Sequence, residues 1–204
     1  MYTPSVIDTR RSGLSFARRT YLPRIVGLGV GFICVFSVLS SQQTAPWLWG
    51  LLIFHGFIWP HLAYQLARRS TMPFKAEIRN LLIDSFFGGL WVATMAFNAL
   101  PSVVILSMMG MNNIASAGKS LFFKGLIVQA VSALAISALL SFPFQPQSTP
   151  LQIYLCLPMI YLYPTLLGLV TYRTAKRLAE KKQELLRISM RDGLTGLYLS
   201  LIHI

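Results

Sequence analysis

The sequence predicts an all-α membrane protein, a six-transmembrane-helix bundle followed by a cytoplasmic signalling helix. Of its 204 residues, 54% are hydrophobic and only 12% are charged, and the mean hydropathy is +0.59. This composition is too apolar for a soluble domain. The 18 Lys and Arg residues fall into four clusters, which are separated by apolar stretches at 22–67, 81–118 and 121–172. A helix crosses a bilayer in about 20 residues, so each stretch predicts a pair of spans.

The expected spans are, in order, 22–40, 47–67, 81–97, 103–117, 123–142 and 151–170. The turn within each pair carries no cation and contains proline, which stops a helix. The fourth span is short, so a five-span chain with a re-entrant hairpin fits the same residues. Because Lys and Arg are retained in the cytoplasm, the four basic clusters and both termini are expected there. The net charge of +12 does not indicate nucleic-acid binding, because apolar runs separate the cations.

A charged segment at 173–190 follows the last predicted span and lacks both Pro and Gly. Ala175, Leu178, Lys182 and Leu185 alternate at spacings of three and four, which is compatible with a short coiled coil. We therefore expect a cytoplasmic linker helix, which would join two copies of the chain in a homodimer if, as the family resemblance given below implies, the chain works in pairs. The alternative is a solvated helix without a partner. The predicted organisation is a basic N-terminal segment at 1–21, a six-helix membrane domain at 22–172 and the linker helix at 173–190.

Three polar side chains within the predicted spans are candidates for an intramembrane sensory role. Asp84 is the one acid expected inside a span, and a carboxylate there demands a partner or water. It is either structural, reaching the interface or bonding a neighbouring helix, or a polar switch. His55 and His61 would lie on different faces of a straight helix and make a poor metal pair, although Pro60 could kink it. Packed histidines are the alternative to heme, metal or quinone ligation, and we predict no catalytic, cofactor-binding or metal residue.

The residues Asp192, Leu194, Thr195, Gly196 and Leu197 resemble the D-x-L-T-G-L motif that opens GGDEF domains. Other stretches resemble the second type of membrane-associated sensor (MASE) domain, which precedes such domains in bacterial diguanylate cyclases. They lie at 11–19, 22–28, 59–67, 77–84, 98–102 and 163–164. The resemblance implies a multi-pass protein of the bacterial inner membrane that senses an unknown ligand. It also implies that the full-length enzyme converts two GTP into cyclic di-GMP with magnesium, in biofilm and cellulose signalling.

Residues 191–198 are therefore expected to begin a truncated GGDEF domain, and the fragment itself is expected to be inactive. Residues 199–204 depart from the family pattern. They match the translation of CTG TCT CTT ATA CAC ATC, which is similar to a sequencing-library adapter, and the alternative is a natural variant tail. Other interpretations of the chain remain: the input module of an adenylate cyclase or histidine kinase, or a small membrane transporter. A transporter predicts several broken spans at the midplane, and only Pro60 and Pro164 are candidates for such breaks.

Overall fold

The computed structural model of the chain describes residues 6–141 and 143–189. Within these ranges the regular structure is helical and no strand occurs, which confirms the all-α class. The elements in chain order are α1 (Val6–Leu39), α2 (Pro46–Ile53), a π-helix (Phe54–Ile58), α3 (Trp59–Arg69), α4 (Pro73–Thr94), α5 (Ala99–Leu139) and α6 (Pro150–Ser189).

Three helical segments are long and apolar enough to cross a membrane, judged by length and composition. They are Thr9–Leu39, Ala99–Leu139 and Pro150–Ile188, whose most apolar windows have mean hydropathies of 2.1, 1.8 and 1.8. The predicted count of six helices is not confirmed, because the described residues form five continuous helical segments. The predicted span 103–117 lies within α5, and the predicted span 123–142 shares residues 123–139 with the same helix.

Helix α4 begins earlier than the predicted span at 81–97. The predicted span excludes the charged residues before Leu81, yet the helix starts at Pro73, a first-turn position where the missing N–H of proline is no loss. It ends at Thr94, after which Ala96 and Phe97 adopt left-handed backbone angles, with φ of 52° and 57°. The polar start of α4 is helical because its side chains find partners on neighbouring helices.

A π-helix joins α2 to α3 and ends two residues before Pro60. Proline cannot donate a backbone hydrogen bond, and its ring presses on the carbonyl four residues earlier. The backbone widens here, and the Trp59 N–H bonds the Phe54 carbonyl five residues back. Residues 46–69 therefore form one continuous helical path. The wider turn changes the directions in which the side chains of α3 point relative to those of α2.

Helix α5 is interrupted at Ala117 and Gly118, whose backbone angles are not helical. Gly118 has a φ of 73°, a value that glycine adopts without steric cost. Beyond the break the chain folds back on itself. The evidence is that the Asn113 side chain, before the break, occupies the space that a Cβ on Gly125, after the break, would need. Twelve residues of straight helix would separate these positions by about 18 Å.

Hydrogen bonds join the three polar turns that precede α2, α5 and α6. Gln145 N donates to the Ala96 carbonyl at 2.7 Å, and Asn98 Nδ2 donates to the Gln147 carbonyl at 2.9 Å. Gln152 Nε2 lies 3.3 Å from Ser41 Oγ. These turns therefore form one end of the bundle.

Small apolar clusters mark the other end, where α4 begins. Ala17, Ala67 and Ala76 pack together there, which joins α1 and α3 to the first turn of α4. A second cluster joins Phe16, Leu81 and Leu121, and Ala117 packs against it. The break in α5 therefore lies at this end.

The chain divides into two units between Leu167 and Gly168. The first unit contains the main core, in which Trp91, Met95 and Met159 are fully buried. In the second unit, the described residues continue α6 to Ser189, through nearly all of the predicted linker helix. The side chains of Leu178 and Leu185 are exposed there.

Candidate functional site

An arginine and two carboxylates form an ion cluster inside the helical bundle. Arg24 of α1 donates from Nε to Asp84 Oδ2 at 2.9 Å, and its Nη2 lies 2.7 Å from Glu77 Oε1. The second of these is an ion pair rather than a well-aligned hydrogen bond. Arg24, Glu77 and Asp84 are 3%, 0% and 5% exposed, so the three charges are almost entirely removed from solvent.

Neutral donors complete the shell around the two carboxylates. The indole N–H of Trp59 donates to Asp84 Oδ1 at 2.6 Å, and the Thr20 hydroxyl donates to Glu77 Oε1 at 2.6 Å. Asn80 Nδ2 lies 3.2 Å from Glu77 Oε2 and 2.8 Å from the Ala63 carbonyl oxygen. All four carboxylate oxygens thus accept from a donor, which is the arrangement that ionised carboxylates require.

The cluster connects three parts of the backbone. Thr20 and Arg24 are one helical turn apart on α1, Trp59 and Ala63 are on α3, and Glu77, Asn80 and Asp84 share one face of α4. Buried ions of opposite charge hold helices in one register, because any slip leaves a charge without its partner. One arginine opposes two carboxylates, so the formal charge of the three groups is −1.

A small cavity lies beside the cluster. It is lined by Arg24, Gly27, Asp84, Asn113 and Tyr163, among others, and its volume is about 10 Å³. That space is close to the minimum that accommodates one water molecule. Arg24 Nη1 has no hydrogen-bond partner in the structure.

The sequence singled out Asp84 but missed the groups around it. Asp84 was expected near the start of a span, whereas it lies about halfway along α4. The contacts of Asp84 agree with the alternative in which its carboxylate bonds neighbouring helices, because its partners are on α1 and α3. A signal for Arg24 was present, since it lies inside the predicted span 22–40, opposite in charge to the only acid expected in a span. Glu77 gave no such signal, because it stands among Lys75 and Arg79.

His55 lies in the π-helix and is buried in the core. Its ring stacks on Phe87 with a centroid distance of 4.2 Å, and its Nδ1 accepts a hydrogen bond from Trp91 Nε1 at 3.1 Å. The proton of the neutral ring is therefore on Nε2, which has no hydrogen-bond partner in the structure.

His61 lies on α3, outside the core. Its Nδ1 is 2.7 Å from the Tyr21 hydroxyl of α1, and the Tyr21 ring stacks on Tyr64 at 4.6 Å. The structure does not bring His55 and His61 together, since one is buried and the other faces outward. Among the described residues no group of three or more His, Cys, Asp or Glu side chains is arranged to hold a metal ion.

The motif residues Asp192, Leu194, Thr195, Gly196 and Leu197 lie outside the described residues, as does the segment at 199–204. The structure therefore provides no geometry for the expected start of a GGDEF domain. The polar groups that it does bring together belong to the helical region.

Comparison with known proteins agrees with a membrane-associated sensor. Residues 19–107 match the MASE2 domain, a range that includes Arg24, Glu77 and Asp84. The chain is also 44% identical over 191 residues to the probable diguanylate cyclase DgcC of Escherichia coli strain K12, and equally to that of strain CFT073. These alignments cover 94% of the chain and 52% of each relative, so the chain spans about half the length of the curated relatives it matches. No solved structure matches the chain.

The matched range contains most of the elements that build the ion cluster, from the end of the basic N-terminal segment to the first arm of α5. The recognition made from the sequence is thereby confirmed. Residues 19–107 of this chain match the MASE2 domain, which supports the membrane-associated sensor region recognised from the sequence.

Proposed function

We propose that this chain is the membrane-integral sensory and anchoring region of a diguanylate cyclase. The observation that carries the proposal is 44% identity, over 94% of the chain, to a probable diguanylate cyclase. The complete enzyme would use magnesium and two GTP molecules to make cyclic di-GMP, as expected for biofilm signalling. The helical region would hold the enzyme at the inner membrane and respond to a ligand of unknown identity.

In this proposal the ion cluster of Arg24, Glu77 and Asp84 is the bistable element of the sensor. A signal acts on a two-state protein only if it stabilises one state more than the other. The cluster offers such a difference, because its ions are paired between α1 and α4, with Trp59 of α3 bonded to Asp84, only in one arrangement of these helices. Polar groups inside a membrane are costly, which favours a functional role for them.

The cyclase assignment is tested by extending the chain from Tyr198 with the genomic sequence that follows it. We expect the extended protein to convert GTP into cyclic di-GMP in isolated membranes with magnesium, and the 204-residue chain supplies the background. Product is measured by liquid chromatography and mass spectrometry. A continuation without a GGDEF-type sequence, or an extended and folded protein that makes no cyclic di-GMP, would contradict the assignment.

Two variants of the extended protein test its internal parts in the same assay. Asp84→Asn keeps the side-chain shape but removes one charge of the cluster, so activity should become fixed high or low at equal protein level. Unchanged activity would leave Asp84 a purely structural role.

Leu178→Asp combined with Leu185→Asp should separate the proposed dimer and lower activity, and the mass of the protein is measured by light scattering. A dimer that survives both changes would exclude this helix as the contact.

We also propose that the chain crosses the membrane six times, with both termini in the cytoplasm. Support comes from the break at Ala117 and Gly118, which divides α5 into two arms that contact each other, and from the continuous path of residues 46–69. The one-sided distribution of cations supports the orientation.

The topology predicts which residues a membrane-impermeant thiol reagent reaches in intact cells. In a variant whose two natural cysteines are replaced by serine, single cysteines at Lys75, Lys119 and Lys181 should react only after the cells are opened. A cysteine at Gln147, in the turn before α6, should react from outside. External labelling at Lys119 would contradict six spans and favour five spans or a re-entrant segment.

A further inference from the structure

A cavity at the start of α4 combines cationic, hydroxyl and apolar side chains. Its volume is about 530 Å³, and it lies between the first turns of α1 and the loop that leads into α4. The side chains that give it its chemistry are those of Arg10, Ser12, Thr71, Met72, Phe74 and Lys75. None of the described residues that line it is acidic.

The cavity lies where α1 packs closely against the start of α4. A Cβ on Gly13 would lie 2.7 Å from the Phe74 backbone nitrogen and 3.1 Å from Pro73 Cβ, so only glycine allows α1 to approach this closely. The Phe16 and Phe74 rings then pack with a centroid distance of 4.9 Å. The position of the cavity is therefore fixed by the packing of α1 against the start of α4.

The depth of the cavity follows from the ion cluster. Asp84 lies about halfway along α4, and Lys75 precedes it by nine residues, which is about 13 Å along the helix axis. Half of the hydrocarbon thickness of a bilayer is about 15 Å. Arg10 precedes Arg24 by fourteen residues on α1, about 21 Å. With Asp84 near the middle of the membrane, as the proposed insertion has it, Lys75 would lie close to the hydrocarbon boundary and Arg10 in the headgroup region.

We propose that this cavity binds the headgroup of an anionic glycerophospholipid. Arg10 and Lys75 would bind the phosphate, and the hydroxyls of Ser12 and Thr71 would donate to its ester or glycerol oxygens. Met72 and Phe74 are 56% and 49% exposed, and an acyl chain covers such apolar surface whereas a free phosphate does not. The inference rests on the proposed membrane insertion and does not depend on cyclase activity.

The test measures lipid binding to the purified full chain in a non-ionic detergent by native mass spectrometry. Phosphatidylglycerol and phosphatidylcholine with identical acyl chains are titrated separately. Two cations at a membrane surface correspond to roughly a thirty-fold preference for the anionic lipid. Arg10→Gln combined with Lys75→Gln should abolish that preference, whereas Arg10→Lys combined with Lys75→Arg should retain it.

The matched control removes the same charge elsewhere. Lys119 and Lys124 are exposed cations on α5, outside the cavity, and Lys119→Gln combined with Lys124→Gln should keep the preference for phosphatidylglycerol. Equal loss in both double variants would overturn the site in favour of diffuse charge attraction. Absence of any preference in the wild-type chain would overturn it as well. Inorganic phosphate that displaces the lipid at equal concentration would assign the cavity to a free anion and refute the lipid proposal.

Discussion

Replacing Arg24 by glutamine is expected to lower the free energy of unfolding by about 3–5 kcal/mol, the usual cost of breaking a buried ion pair from one side. Glu77 and Asp84 would remain in the bundle without the cation that both contact. The loss is measured by thermal unfolding and by denaturation with dodecyl sulphate in detergent micelles.

Arg18→Gln is the matched control for this change. Arg18 lies on the same helix but is exposed, so its loss should alter stability by no more than about 0.5 kcal/mol. A triple variant with Arg24→Met, Glu77→Gln and Asp84→Asn removes all three charges and should recover more than half of the loss. If Arg24→Gln is as stable as Arg18→Gln, the cluster does not hold the helices together.

A methyl group at Gly89 is expected to separate α4 from α5. Its Cβ would overlap the Gln129 carbonyl oxygen and the Ser132 hydroxyl and lie 2.9 Å from the Ala133 nitrogen. Two of these atoms belong to the backbone, which cannot turn aside as a side chain can. We expect Gly89→Ala to cost about 1–3 kcal/mol, the usual range for overpacking.

Gly29→Ala is the matched control, the same substitution at a position where the added methyl group has free space. Gly29 is also inside a helix, but a Cβ there meets no atom within 4 Å. Alanine is the better helix former by about 1 kcal/mol, so this variant should be as stable as the wild type or more stable. Unfolding of both variants is followed by circular dichroism. Equal stability of the two would show that the helices do not meet closely at Gly89.

The helical class followed from the sequence because long apolar stretches leave few alternatives in a membrane. The beginnings of helices were harder to predict. The charged residues before Leu81 were excluded from the predicted span, yet Glu77 is fully buried. Whether a charge lies outside a helix or is paired inside the bundle depends on the neighbouring helix, and a single segment does not contain that information.

The candidate site was predicted only in part for the same reason. Asp84 was recognisable as an acid in an apolar run, but its contact with Trp59 depends on how α3 packs against α4. The rotation of α3 in turn follows the π-helix before Pro60, and the local sequence predicted a kink at most. The fold-back at Gly118 depends on a positive φ, which glycine permits without requiring.

The three polar turns that meet at one end of the bundle have a physical property that the ion cluster lacks. Their contacts use amides and hydroxyls of Asn98, Gln152, Ser41 and Ser148, and no side chain in the turns ionises in the physiological range. Neither acidity nor dissolved salt can loosen these contacts through charge. The contacts at that end of the molecule should therefore persist while the pH and ionic strength of the surrounding medium change.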